Sequence, residues 1–185
     1  MLKADVSLRG HCMKTKVKVE LNFAAVFAAI LVFLLTNPVA SGNADKQERR
    51  TLTVGVGYDY PTIQAAYDAA QPGDTIGIYP LPNGEPYRNV AILVRKPAIR
   101  FMGKGGLSGD VHIDGTGVDY TGDGKMPRAV FQFDPGSDRS MLFDMEIMNA
   151  HNSSHNGAGI RINAANYISV ISSKISNCDM GIMSN

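Results

Sequence analysis

Two short stretches of the chain repeat at fixed intervals, and this repetition constrains the fold more than any other feature. The dipeptide Gly-Ile recurs after 22 residues, so that Ile160 corresponds to Ile182. Three other landmarks recur after 28 residues, namely Phe143, Ile147 and Asn149 as Ile171, Ile175 and Asn177. The intervals differ by six residues, which is the length of the polar segment 151–156 between the two sets of landmarks. We therefore interpret the sequence as a repeat of about 22 residues with one inserted loop.

A repeat of this length, built from short apolar runs, predicts an all-β solenoid. Three short strands joined by tight turns close one circuit of a parallel β-helix, in which isoleucine stacks on isoleucine along the axis. One circuit alone cannot bury that stack, so several are required. The alternative is an antiparallel sandwich, which also suits glycine-rich sequence with short strands. Hairpins need two-residue turn signals, and the Ile-Ser-Asn-x-x-x-Gly-Ile pattern at residues 175–182 lacks them.

Residues 61–73 predict a short α-helix near the start of this region. Pro61 suits the first turn of a helix, and Pro72-Gly73 ends the pattern. Between them, four apolar residues follow the spacing of one helical face, namely Ile63, Ala66, Tyr67 and Ala70. Short apolar or alternating runs predict strands at residues 51–54, 74–79, 90–94 and 99–102.

Residues 1–44 are predicted to be a secretory signal peptide. An apolar run at 21–35 follows three lysines, and cleavage is expected after Ala40, Gly42 or Ala44. The run is shorter than the roughly twenty residues of a membrane-spanning helix, and an uncleaved anchor is the alternative. Met13 is a second candidate start. We expect residues 45–50 to form a linker and residues 51–185 to form a domain that is secreted, periplasmic or at the cell surface, with no membrane span after cleavage.

The composition of residues 45–185, the part expected to be exported, argues against several classes of function. Residues 45–185 carry thirteen Lys and Arg against fifteen Asp and Glu, a net charge of −2, which provides no basic field for nucleic acid. Cys178 is alone in these residues, so no intramolecular disulfide is expected, and we interpret it as a small buried apolar residue. The sequence has no Gly-x-Ser-x-Gly elbow, Cys-x-x-Cys pair or phosphate-binding loop. Serine-hydrolase, thiol-redox and nucleotide chemistry therefore have no support.

The segment from Tyr60 to Ile76 resembles the N-terminal motif of right-handed parallel β-helix proteins of the pectin-lyase-like superfamily. The resemblance rests on Tyr-Pro-Thr-Ile-Gln-Ala-Ala at 60–66 and Gln-Pro-Gly-Asp-Thr-Ile at 71–76, and it covers most of residues 51–185. It implies a right-handed β-helix whose N-terminal end is covered by the short helix. It does not imply a reaction, since the superfamily includes lyases, hydrolases, esterases, epimerases and non-catalytic proteins.

A weaker resemblance is to pectin methylesterase. Residues 84–90 are similar to that family's Gly-x-Tyr-x-Glu-x-Val stretch, but Asn89 occupies the Glu position. Two glutamines expected near residues 156–158 and 178–180 are missing, and loss of one such oxyanion donor costs about two to three orders of magnitude in rate. Asp179 matches the family's general acid/base. The family's nucleophilic Asp and its Arg would lie beyond Asn185.

Four residues are weak candidates for a site. The resemblance makes Asp179 a catalytic candidate, although its Asn-Cys-Asp-Met-Gly context favours a turn residue that bonds neighbouring backbone. His151 and His155 lie in the inserted polar loop rather than on a helix, which disfavours a metal pair and makes them candidates for substrate contact. Arg161 is the third substrate-binding candidate, and the sequence offers no convincing partner for it or for Lys174.

No cofactor is evident from the sequence. The resemblance raises calcium, which β-helix lyases often use, and four aspartates lie in a glycine-rich stretch: Asp110, Asp114, Asp119 and Asp123. Their spacing does not follow a calcium-binding loop of the EF-hand type, which needs oxygen ligands at every second position. We therefore expect a solvated loop and no metal site.

Two functions follow as expectations. The first is an exported protein that binds or modifies a polysaccharide, pectin-like or another acidic glycan, and any enzyme among these would be a lyase, esterase or hydrolase. The second is a non-catalytic accessory or adhesive module of the periplasm or cell surface. The sequence stops at residues 181–185 within a predicted strand, so we expect residues 51–185 to be the N-terminal part of a longer β-helix with an incomplete set of catalytic residues.

Overall fold

The computed structural model describes residues 49–106, 110–123 and 126–185, so the predicted signal peptide lies outside the described residues. The strands are β1 (Thr51–Val54), β2 (Thr75–Ile78), β3 (Tyr87–Arg88), β4 (Ile92–Val94), β5 (Arg100–Gly103), β6 (His112–Asp114), β7 (Ala129–Phe133), β8 (Met141–Phe143), β9 (Glu146–Met148), β10 (Ala158–Ile162), β11 (Ser169–Ile171), β12 (Lys174–Ser176) and β13 (Met180–Ser184). Helix α1 spans Ile63–Ala69, and a 3-10 turn spans Pro82–Gly84. The described residues contain no helix with the length and apolar character needed to cross a membrane.

The strands form three sheets, and every pairing among the described strands is parallel. Sheet 1 has the order β1-β2-β5-β8-β11, sheet 2 the order β3-β6-β9-β12, and sheet 3 the order β4-β7-β10-β13. From β2 onward the chain visits sheets 1, 2 and 3 in that rotation, and each circuit places one strand beside the previous strand of the same sheet. The prediction of an all-β chain with one short helix is confirmed, and the antiparallel sandwich is wrong.

Apolar side chains at equivalent positions of successive strands stack in register. The aligned positions are Leu52, Ile76, Phe101, Leu142 and Val170 in sheet 1, Ile113, Ile147 and Ile175 in sheet 2, and Ile92, Phe131, Ile160 and Ile182 in sheet 3. Ile147 and Ile160, which have neighbouring strands on both sides, are fully buried. Fully burying such a side chain stabilises the fold by about 1.5–3 kcal/mol relative to leaving it exposed.

The two intervals in the sequence correspond to two different strand pairings. The 28-residue interval pairs β9 with β12, where Ile147 aligns with Ile175, and the 22-residue interval pairs β10 with β13, where Ile160 aligns with Ile182. Nine residues connect β9 to β10, whereas three connect β12 to β13. The six extra residues are the polar loop 151–156, as predicted.

Asparagine recurs because one turn needs a left-handed backbone. Asn149 follows β9 with φ of 60° and Asn177 follows β12 with φ of 48°. Asparagine tolerates this conformation better than most residues with a side chain. The Asn177 Nδ2 donates to Asn149 Oδ1 at 2.6 Å, and Asn149 Nδ2 donates to Asp114 Oδ1 at 2.9 Å. Asparagine thus serves two purposes at these positions. It adopts the left-handed turn, and its side-chain amide forms hydrogen bonds with the side chains of neighbouring strands.

Helix α1 lies against sheet 1 and is fixed to it by polar contacts. The helix begins at Ile63, so Pro61 precedes it and does not lie in its first turn as predicted. Thr62 is the N-cap, and its side chain accepts from the Ala65 N–H. The predicted apolar face is buried, including Ile63 and Tyr67. At the other end, Lys96 Nζ donates to three main-chain carbonyls, those of Tyr67, Asp68 and Ala70, at 2.7–2.9 Å. The cation therefore binds at the C-terminal end of the helix, where the helix dipole favours positive charge.

Replacing the central isoleucine of sheet 2 tests the stacked core. We expect Ile147→Ala to lower the free energy of unfolding by about 2–5 kcal/mol, because a fully buried side chain leaves a cavity between two neighbouring isoleucines. Met148→Ala is the matched control, since Met148 is adjacent in β9 and only partly buried. Denaturant unfolding of the full chain measures both, and equal losses would contradict this arrangement of inward and outward positions.

Candidate functional site

The outer face of sheet 3 carries polar side chains at positions that alternate with the stacked core. In β10 the inward residues Ile160 and Ile162 flank Arg161, which aligns with Gln132 of β7 and with Met183 of β13. Successive side chains of a strand point to opposite faces, so these three side chains form an outward row across neighbouring strands. The core stack therefore fixes where the polar row lies.

A depression of about 420 Å³ lies on this face. Its lining residues come from three circuits of the chain and from the segment before β7, namely Gly122, Arg128, Gln132, Arg161, Asn163, Ala164 and Asn185. Among the described residues, the lining combines two guanidinium groups with three side-chain amides and contains no carboxylate side chain. Such a set offers many hydrogen-bond donors and a local positive charge.

Arg161 is the distinctive residue of this depression. It is only 8% exposed, and its contacts are Nε to Asn163 Oδ1 at 3.1 Å and Nη1 to Met183 Sδ at 2.9 Å. No carboxylate within the described ranges forms an ion pair with it. Burial, and next the nearby Arg128, lower the pKa of Arg161. A charge held away from water without a counter-ion is costly, so the arrangement favours an anion from outside the described residues.

Arg128 supplies the second positive charge and is held by the preceding segment. Its Nε donates to the Thr121 carbonyl at 3.0 Å, and its backbone N–H donates to Gln132 Oε1 at 2.8 Å. Gly122 has φ of 78°, and a Cβ at this position would lie 2.3 Å from the Arg128 Nε. Glycine is therefore required at residue 122 for Arg128 to lie where it does.

The nearest carboxylate beside the depression is already neutralised. Asp134 Oδ2 accepts from Arg95 Nη2 at 3.0 Å, and its Oδ1 accepts from the side-chain amides of Gln132 at 2.9 Å and Asn163 at 3.0 Å. Burial raises the pKa of Asp134, but these hydrogen bonds and the Arg95 charge outweigh it, so the pKa is lowered overall. Asp134 thus orients the amides and forms its ion pair with Arg95, while its charge only partly offsets the lowering of the pKa of Arg161 by burial and by Arg128.

On sheet 2, by contrast, acidic and basic side chains contact one another. His112, Glu146 and Lys174 align across β6, β9 and β12, and Glu146 accepts from Lys174 Nζ at 2.7 Å and contacts His112 Nδ1 at 3.1 Å. Ser176 Oγ also donates to Glu146, at 3.0 Å. The Lys174 hydrogen bond is the largest cause of the lowered pKa of Glu146. Sequence reasoning left Lys174 without a partner, although the 28-residue interval places Glu146 beside it.

Two predicted site residues, His151 and Asp179, are brought together. His151 Nδ1 lies 2.8 Å from Asp179 Oδ1, while Asp179 Oδ2 accepts the backbone N–H groups of Asn152 and Gly157, each at 3.0 Å. The His151 hydrogen bond, and then the Asn152 N–H, lower the pKa of Asp179 to about 2. Asp179 is therefore an ionised carboxylate that closes the base of the inserted loop.

The remaining predicted residues lie elsewhere. His155 is exposed on the same loop, where its backbone N–H closes a turn onto the Asn152 carbonyl at 3.0 Å. Of the four aspartates considered for calcium, Asp114 is buried and bonded to Thr116, Asn149 and Arg88. Within the described ranges, no three His, Cys, Asp or Glu side chains converge as metal ligands.

Cys178 packs against the core and is only partly exposed. Its Sγ accepts from the Ala150 N–H at 3.4 Å and donates to the Ser176 carbonyl at 3.3 Å. Burial raises the pKa of the Cys178 thiol. These contacts disfavour a reactive thiolate, in agreement with the interpretation of Cys178 as a packing residue.

Comparison with known proteins gives no match, whether to a family model, a curated protein or a solved structure.

The stability of an Arg161 variant tests whether this residue is a structural or a binding group. We expect Arg161→Gln to leave the unfolding midpoint of the full chain unchanged or raised, because it removes a poorly solvated charge that has no carboxylate partner. The control is Arg95→Gln, which removes the ion pair to Asp134 and should not raise stability. A marked loss of stability in Arg161→Gln would assign it a structural role. Thermal unfolding followed by circular dichroism measures both.

The acid stability of the chain tests the role of Asp179. The folded pKa of about 2 lies below the ordinary value of 3.8, so ionised Asp179 stabilises the fold above about pH 4 and loses this contribution as the pH falls towards 2. We expect Asp179→Asn to be less stable than the parent chain at pH 5 and above, with the difference closing between about pH 4 and 2. A difference that stays constant over this range would contradict the assignment.

Proposed function

We propose that this chain is an exported, right-handed parallel β-helix protein that binds an acidic polysaccharide along the outer face of sheet 3. The single observation that carries the binding proposal is Arg161, a nearly buried guanidinium without a carboxylate partner in the described part of the chain. The export rests on the predicted signal peptide. The right hand follows the general preference of parallel crossovers, and it agrees with the resemblance of residues 60–76 to the pectin-lyase-like superfamily.

The charge distribution favours a specific anion contact over general attraction. Residues 45–185 are mildly acidic overall, with a net charge of −2, so the protein as a whole does not attract polyanions. Arg128 and Arg161 both line one depression, whereas on sheet 2 Lys174 forms an ion pair with Glu146. Guanidinium groups donate two parallel hydrogen bonds to a carboxylate, which suits a uronic-acid polymer.

The geometry also suits an extended ligand rather than a compact one. The lining residues Gln132, Arg161 and Asn185 belong to, or directly follow, three neighbouring strands, which are about 4.8 Å apart in a sheet. A polymer that crosses the strands therefore meets a new set of side chains at each circuit. The amides of Asn163 and Asn185 provide donors and acceptors for sugar hydroxyl groups beside the arginines.

Binding of polygalacturonate to the full chain tests this function. We expect Arg161→Gln to weaken binding at least about tenfold, because a hydrogen bond to a charged group contributes about 1.5–3 kcal/mol and 1.4 kcal/mol is tenfold in affinity. Arg100→Gln is the matched control, since Arg100 lies on sheet 1, away from the depression. Isothermal titration calorimetry at low and high salt measures the affinity.

A neutral polymer separates charge recognition from general glycan binding. Fully methyl-esterified polygalacturonate has the same backbone without the carboxylates, and we expect it to bind much more weakly. Equal affinity for the two polymers, or equal effects of Arg161→Gln and Arg100→Gln, would overturn the proposal.

A further inference from the structure

We propose that Met183 is an oxidation site that regulates the anion-binding depression. Peroxide converts its thioether to a sulfoxide, which then holds the Arg161 guanidinium and weakens binding of the acidic glycan. The inference rests on the proposed function, because the affinity for the glycan is what the oxidation changes. It makes binding at this site dependent on the redox conditions outside the cell.

Met183 contacts the guanidinium group on which the proposed binding depends. The register of β10 and β13 aligns Arg161 with Met183, and the core-facing pair Ile160 and Ile182 lies one residue before them. Both side chains therefore lie on the outer face of sheet 3. Arg161 Nη1 donates to Met183 Sδ at 2.9 Å, so the sulfur is a direct partner of the charged group.

The nitrogen that Met183 engages is one that a carboxylate ligand needs. Arg161 Nε already donates to Asn163 Oδ1 at 3.1 Å, and Nη2 forms no hydrogen bond with the described residues. A carboxylate that binds through two parallel hydrogen bonds therefore uses Nη1 together with Nη2. Met183 and the ligand compete for the same donor group.

The oxidation state of the sulfur decides this competition. A thioether sulfur is a weak acceptor, and a hydrogen bond to an ionised carboxylate is much stronger, so a uronate displaces the sulfur from Nη1. Oxidation to the sulfoxide places a polar oxygen on the same side chain. That oxygen accepts strongly from the guanidinium. The contact thus changes from one that permits an anion to bind into one that opposes it.

Met183 is open to a small oxidant, whereas other sulfur atoms are protected. Its side chain is partly exposed, while Met145 is fully buried in the core. The thiolate is the form of a cysteine that peroxide oxidises readily, and burial raises the pKa of Cys178, which keeps it protonated. A thioether reacts without losing a proton, so this protection does not extend to Met183.

The reaction balances with hydrogen peroxide as the oxidant. The sulfur lone pair attacks one peroxide oxygen, the O–O bond breaks, and the other oxygen leaves as water. Sulfur loses two electrons, and the peroxide gains them. A methionine sulfoxide reductase reverses the change, with a dithiol that becomes a disulfide while the sulfoxide oxygen leaves as water. The modification is therefore reversible.

The test compares the full chain before and after treatment with dilute hydrogen peroxide. Isothermal titration calorimetry measures the affinity for polygalacturonate, and peptide mass spectrometry measures the oxidation of each methionine. We expect oxidation to weaken binding about tenfold or more, because the ligand loses a hydrogen bond to a charged group. Methionine sulfoxide reductases for both sulfoxide epimers, supplied with a dithiol, should restore the affinity.

Two variants assign the effect to one residue. Met183→Leu keeps a side chain of similar volume without a sulfur to oxidise, so peroxide should leave its affinity at its own untreated value. Met180→Leu is the matched control, since Met180 is partly exposed in the same strand and this variant keeps Met183. It should lose affinity as the parent chain does. Met126, which is 40% exposed, is present in both variants, so its oxidation affects them equally.

The outcomes separate this inference from the proposed function. An equal loss of affinity in Met183→Leu and the parent chain overturns the inference and leaves the proposed function standing. Unchanged affinity in a parent chain whose Met183 is fully oxidised has the same meaning. A parent chain that does not bind polygalacturonate before treatment overturns both.

Discussion

The alignment of apolar side chains between parallel strands is the constraint on which the other features depend. Ile147 lies between Ile113 and Ile175, and Ile160 lies between Phe131 and Ile182, with both central residues fully buried. A shift of one residue in any strand would expose its core position and bury a polar one. Arg161 aligns with Gln132 for this reason, because both are one residue along from a core position.

The alignment of the strands produces different charge patterns on the outer faces of sheets 2 and 3. On sheet 2, Glu146 forms an ion pair with Lys174 and contacts His112. On sheet 3, Asp134 forms its ion pair with Arg95, and no carboxylate side chain of the described residues forms an ion pair with Arg161. A chain with ion pairs on one sheet and unpaired arginines on another has a preferred side for a charged ligand.

The helix and the later strand pairings could be predicted from the sequence, because their apolar residues recur at regular intervals. Helix α1 and strand β1 agree closely with the predicted segments, and the pairings of Ile147 and Ile160 follow the two intervals in the sequence. Earlier circuits vary in length, so that 34 residues separate Ile113 from Ile147 and 39 separate Ile92 from Phe131. Variable connections conceal which outward residues become neighbours. Arg128, Gln132 and the contact of Glu146 with His112 could therefore not be assigned from the sequence. The 28-residue interval, by contrast, already aligns Glu146 with Lys174 and His151 with Asp179, and the sequence analysis did not apply it to these polar residues.

The inserted loop has a consequence for how this architecture can change. Residues 151–156 lengthen one connection between β9 and β10, yet Ala158 still pairs with Ala129 and Met180, and Asp179 in the next circuit binds both ends of the loop. The connection between β9 and β10 can thus change in length without changing the alignment of the core residues. Foreign peptide segments could be grafted between residues 152 and 157, which would make the protein a display scaffold whose inserts are clamped at their base by a single carboxylate.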